Sequence, residues 1–184
     1  MSNMQLDTLR RIVQEINASV SLHDSLDIMV NHVAEAMHVD VCSIYLLDER
    51  NKRYVLMASK GLKPEAVGHV SLNVGEGLVG LVGKREEIVN LDNAPKHERF
   101  AYLPETGEEL FNSFLGVPVM YRRKVMGVLV VQNQEPQDFS EAAESFLVTL
   151  CAQLSGVIAH AHAVGNIDVF RKPTSGSSYK SFQG

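Results

Sequence analysis

Gly75-Glu76-Gly77-Leu78-Val79-Gly80 spells GxGxxG, the pattern in which glycines let a backbone approach a pyrophosphate. The segment follows an expected strand, and Asp92 lies downstream where a ribose-binding acid would sit. Its surroundings oppose that chemistry. A pyrophosphate site needs the positive end of a helix several turns long. Here Lys84-Arg85-Glu86-Glu87 arrives within a few residues, and only a brief strand follows. The glycines therefore read as a tight turn into a short amphipathic helix, with Leu78, Val79, Leu81 and Val82 covering a sheet.

The other reactive residue types are equally poor in pattern. His160 and His162 stand two apart, so on a helix they face different ways, whereas a metal pair needs three- or four-residue spacing. Cys42 and Cys151 lie far apart in apolar runs without a CxxC pair and read as small buried thiols. No serine occupies a GxSxG elbow, and no pair of carboxylates stands out. The expectation is a chain that is not itself an enzyme and holds neither metal nor cofactor. His97, between Lys96 and Glu98-Arg99, is either solvated loop charge or a ligand contact. Asp92 either caps a helical turn or joins the same loop chemistry.

The elements that position these residues follow from periodicity. Leu6, Leu9, Val13 and Ile16 form one helical stripe, and Leu22, Leu26, Met29, Val33 and Met37 a second. Ser21 and Asp24 fit a capping box between them. Strands are expected at 41–48 and 53–59 around the polar turn Glu49–Lys52, and a third at 67–73. A short strand ends near Leu91, and a long polar connection runs over 92–112. Strands at 114–121 and 125–133 turn at Arg122–Lys124. A last helix starts near Ser140, with Ala143, Phe146, Leu147, Leu150, Leu154, Val157, Ile158 and Ala161 as its stripe. Helices at both ends with hairpins between them indicate α+β, an antiparallel sheet with segregated helices.

The chain has 184 residues, 45% hydrophobic and 21% charged, which matches a globular domain and excludes global disorder. No continuous apolar run approaches a membrane span, and the start, MSNMQLDTLRR, has no apolar signal-peptide region. A cytoplasmic location without membrane contact is expected. The net charge is −5, yet residues 165–184 hold Arg171, Lys172 and Lys180 against Asp168 alone. An acidic body without a basic stripe argues against a nucleic-acid partner. Residues 1–164 read as one domain and 165–184 as a flexible linker.

VCSIYLLDE, GEGLVGLVGKREEIVNLDNA, SFLGVPV and KVMGVLVVQN, in this order between helices, resemble a GAF domain over about residues 4–164. The resemblance implies a six-stranded antiparallel sheet of order 2-1-5-4-3-6. Terminal helices cover one face, and short helices and loops cover a small-molecule pocket on the other. YVLMASKGLK, FLGVPVMYRRKVMGVLVVQ and ESFLVTLCAQL sharpen the likeness to the nitrogen-related family of phosphoenolpyruvate–protein phosphotransferases. That family implies an enzyme I-like module beyond the linker, whose autophosphorylation glutamine and 2-oxoglutarate tune through the GAF domain. The chain departs from the family pattern in having no phosphohistidine loop, since IAHAHA does not match one. It also lacks the Cys-His pair with which bilin-binding GAF domains hold their chromophore.

Within such a pocket, His97 or Arg99 would meet a carboxylate, and Asp92 or Glu98 an ammonium group. Ser43, Tyr45, Ser113 and Gln132 would orient an amide, and Phe100 and Phe111 would wall off water. The alternative is a dimerisation or docking module without ligand, built on the terminal helices; homodimers formed through these helices are common in GAF domains.

Overall fold

The amphipathic stripes fold into α1 (Asn3–Ala18) and α2 (Leu22–Met37), and the Ser21 side chain accepts the Asp24 N–H at 3.1 Å, so the expected cap forms. The computed structural model describes residues 3–101, 111–164 and 170. After α2 come β1 (Val41–Asp48), β2 (Arg53–Lys60), β3 (Ser71–Asn73), α3 (Gly77–Arg85) and β4 (Val89–Leu91). β5 (Ser113–Tyr121), β6 (Lys124–Asn133) and α4 (Glu141–Val164) complete the fold. Of the expected linker, 165–169 and 171–184 lie outside the described residues, while Phe170 packs against the helix-side core.

The six strands form one antiparallel sheet in the order β3-β2-β1-β6-β5-β4. The class, the strand number and the central pairing of the two long hairpins match the expectation. The edges differ from the implied order: β3 extends the sheet outside β2, and β4 closes the other side. The third strand is also shorter than 67–73. Gly68, at φ +83°, bulges the chain outward, and Leu56 alone bridges it by accepting from Gly68 and donating to Val70. Regular pairing is left to Arg53–Val55 against Ser71–Asn73.

Alternation divides the core in two. Cys42, Ile44, Leu46, Leu115, Val117, Leu129 and Val131 face α1, α2 and α4. Val41, Tyr45, Leu56, Phe114, Val128 and Val130 face α3 and the connection around Leu72. By length and composition alone α4, with 24 residues and an 18-residue window of mean hydropathy 1.5, is apolar enough to cross a membrane, a test that the core helix of a globular domain also passes. Its stripe of Phe146, Leu147, Leu150, Cys151, Leu154 and Ile158 is buried on the sheet instead.

Candidate functional site

The glycines of α3 bring backbone segments together. Gly77 opens the helix at φ +66°, and a Cβ there would stand 3.1 Å from the Ala101 Cβ. A Cβ on Gly80 would lie 2.6 Å from the Gly75 backbone, so the first turn folds tightly over its own entry. The nine-residue helix thus uses its GxGxxG letters for close packing.

Between this helix start and the sheet lies a cleft. Its floor is Tyr45 of β1, Val130 and Gln132 of β6, and Phe114 of β5; its cover is Gly77–Val79, Leu72, Phe100 and Ala101. Register explains the floor: Gln132 pairs with both Val41 and Phe114, so the three share one face across adjacent strands. The cleft holds about 30 Å³, room for one or two waters and far too little for an amino acid. Its walls are largely apolar, with Tyr45 and Gln132 as the polar side chains.

The expected site residues divide around this cleft. Tyr45, Gln132 and Phe100 line it. Phe111 is buried in the same core layer. Ser43 shares the cleft face but is wholly buried, and its hydroxyl meets that of Ser59 at 2.9 Å. Ser113 faces the opposite side: its odd-numbered position in β5 aligns it with Leu115 and Val117, and its hydroxyl donates to the Asn133 and Glu135 carbonyls. It therefore does not reach the cleft. Asp92 is exposed, and His97 is half-buried with its Nδ1 accepting the Arg99 N–H at 3.0 Å.

Arg99 flanks the cleft on its outer side. Its Nη1 donates to the Gly75 carbonyl at 3.2 Å, which ties the segment carrying Phe100 and Ala101 to the entry of α3. Outward, Arg99 shares a depression of about 270 Å³ with Leu81, Lys84, Arg85 and Glu98. A third and larger cavity, about 430 Å³, lies in the helix layer between Gln5, Thr8, Met37, Phe139 and Phe146. Sequence reasoning missed Phe114, Leu72 and Ala101. Phe114 was legible from alternation, since it shares a parity with Val128-facing Pro118 and with the Gln132 pair. Ala101 was not, because its role depends on the Gly77 approach. Among the described residues no group of three His, Cys, Asp or Glu side chains is placed to hold a metal.

An antiparallel sheet with terminal helices on one face and a small covered cleft on the other defines the α+β class of this protein. The GAF domain profile matches residues 21–158, and the chain belongs to the GAF domain family. It is similar to the GAF domain from an Acinetobacter phosphoenolpyruvate-protein phosphotransferase, a crystal structure 88% identical, covering 91% of this chain and 100% of that one at a TM-score of 0.85. The Escherichia coli (strain K12) protein named phosphoenolpyruvate-dependent phosphotransferase system is 41% identical over 167 residues, 91% of this chain and 22% of that protein. The chain thus spans about a fifth of the length of the curated relatives it matches first. A free methionine-R-sulfoxide reductase from Neisseria meningitidis shares the fold alone, at 18% identity over 90% of this chain and 96% of that one, with a TM-score of 0.75.

Proposed function

We propose that this chain is a regulatory sensor that binds a small polar metabolite, glutamine or 2-oxoglutarate, and tunes the autophosphorylation of a phosphoenolpyruvate–protein phosphotransferase in nitrogen-linked signalling. The observation that carries the reading is the cleft, whose floor presents Tyr45 and Gln132 among apolar walls, and whose cover includes Phe100 and Ala101, next to Arg99 on the Gly75 carbonyl. A metabolite fits only when that cover withdraws from Gly77, so binding selects an arrangement different from the closed one. Ligand that binds the open arrangement better shifts the population; ligand with equal affinity for both shifts nothing.

In the open arrangement Arg99, released from the Gly75 carbonyl, supplies the cation for a carboxylate, with His97 beside it. Asp92 or Glu98 would supply the acid for an ammonium group. Gln132 and Tyr45 orient the polar end, and Phe100 and Phe111 exclude water. The catalytic histidine module belongs to the longer parent protein, and a cytoplasmic setting suits its substrates.

Calorimetry of the 184-residue chain with glutamine and with 2-oxoglutarate tests this. Saturable heat with either ligand, weakened by Gln132→Leu, is expected. Asp92→Asn with Glu98→Gln weakens glutamine alone, because 2-oxoglutarate has no ammonium group. Absence of heat from both ligands at millimolar concentration would sink the reading.

A second reading, pairing of two copies through the terminal helices, is favoured by three exposed apolar side chains there: Leu6 on α1 and Val148 and Val164 on α4. Light scattering checks it, and a monomer at high micromolar concentration speaks against it.

A further inference from the structure

The fold gathers cations that the sequence keeps apart. Residues 48–53 and 121–124 hold six of the 17 lysines and arginines but only two of the 22 acids. The first group forms the β1–β2 turn and the second the β5–β6 turn. β1 pairs with β6, so the two hairpins are neighbours and their turns open at the same end of the sheet. With strands about 4.8 Å apart, the turns lie about 10 Å from one another. An acidic chain without a basic stripe in its sequence therefore has a basic patch in space.

The cations of this patch are open to solvent. Arg50, Lys52, Arg122, Arg123 and Lys124 are exposed, and among the described residues no carboxylate pairs with them. Asp48 is already engaged by Asn51 and Arg53, and Glu76 beside the patch accepts the Asn73 N–H, which leaves Glu49 as the other acid of the two turns. Backbone geometry singles out the same residues. Five non-glycine residues among those described have positive φ, and three are cations of these turns: Lys52 at 54°, Arg122 at 47° and Arg123 at 65°. Asn-Gly would fill the two-residue β5–β6 turn without strain, whereas Arg122 and Arg123 hold this left-handed backbone with long side chains, as Lys52 does in the four-residue β1–β2 turn. Cations are held at these positions against local preference.

We infer that this end of the sheet is a docking surface for an acidic protein segment, one presenting a cluster of Asp and Glu side chains. Size and surroundings favour that occupant. The remaining acids of the chain outnumber its remaining bases, so a long polyanion or an extended anionic bilayer is repelled once it passes the patch. Single-stranded nucleic acid also uses open aromatic faces for stacking, and the one aromatic of the two turns, Tyr121, has the Arg122 guanidinium over its ring at 5.3 Å. Val74 is half-exposed beside the patch, its N–H bonded to the Lys52 carbonyl at 3.0 Å, and offers a protein partner an apolar contact.

The test is fluorescence anisotropy of a labelled ten-residue poly-glutamate peptide against the full chain at low and near-physiological salt. Arg50→Glu with Arg123→Glu and Lys124→Glu is expected to weaken binding about tenfold or more. An equal charge change elsewhere, Lys60→Glu with Lys63→Glu and Lys84→Glu, is expected to leave most of it. Arg122→Asn with Arg123→Gly relieves the turn, so it folds at least as well as the parent and still binds several-fold more weakly. Equal loss in the control, unchanged binding in either patch variant, or tighter binding of oligothymidylate or phosphatidylglycerol vesicles than of the peptide overturns the inference.

Discussion

Gly83 of α3 lies directly beneath the hydroxyl of Tyr54 of β2: a Cβ on the glycine would stand 1.9 Å from the Tyr54 oxygen. The contact fixes the C-terminal half of α3 on the sheet, as Val82 does one residue earlier against Gly116. Burial, aided by the nearby Glu86 carboxylate, raises the Tyr54 hydroxyl above its ordinary pKa, so it stays a neutral phenol at physiological pH.

Gly83→Ala is therefore expected to destabilise the domain by about 1–3 kcal/mol, the range for overpacking a close contact. Tyr54→Phe in the same chain removes the overlapping oxygen and is expected to recover part of that loss. Urea denaturation of both single variants and the double variant measures the coupling. Strictly additive effects would show that the two residues do not meet.

Asn90 joins the cleft side of the fold to α4. From the middle of β4 its Nδ2 donates to the Phe139 carbonyl at 2.8 Å and to Glu144 at 2.9 Å, and its Oδ1 accepts the Phe139 N–H at 3.3 Å. Asn90→Ala removes all three bonds and leaves the Phe139 amide without its partner. A loss of about 1–2 kcal/mol is expected. Amide exchange is expected to rise first at the start of α4 and in β4. Uniform exchange throughout the chain would contradict a local clamp.

Much of this scaffold is legible in one sequence because the signals are local. The cap at Ser21, the start of α4 at Ser140, whose Oγ accepts the Ala143 N–H, and the two long hairpins depend on neighbouring residues. The site is less legible because it depends on parity and approach. A single-residue step in β5 separates Ser113, bonded on the helix side, from Phe114 in the cleft. The Gly77–Ala101 and Gly83–Tyr54 approaches, and the meeting of two basic turns, exist only once strand order is known.

Asp48 makes stability depend on pH in the acid range. Burial alone raises its pKa, but hydrogen bonds from the Asn51 side chain and backbone and from Arg53, with that residue's charge, prevail and hold it below the usual carboxylate value of 3.8. A carboxylate depressed in the folded state contributes stability above its unfolded pKa and loses it as pH falls through its folded pKa. Asp48→Asn is expected to cost about 1 kcal/mol at pH 7. Thermal melts at decreasing pH should bring variant and parent together once both carry a neutral group at this position. A gap that persists unchanged at pH 2 would assign the loss to packing alone.

Cys42 and Cys151 are both buried, one at the floor of the helix-side core and the other on the α4 stripe above it. Burial raises both thiols well above their ordinary pKa, and for Cys42 the neighbouring Cys151 adds to the rise. The thiolate is the reactive form, so neither sulfur is a nucleophile in the native fold. A disulfide reagent at pH 8 is expected to label neither until the domain opens, with the rate rising in step with urea. The same shift gives stability a falling alkaline limb, because above pH 9 the unfolded thiols release protons that the folded ones keep. Cys42→Ala with Cys151→Ala should flatten that limb. Labelling within seconds in native buffer would show instead that α4 lifts from the sheet far more readily than its buried stripe allows.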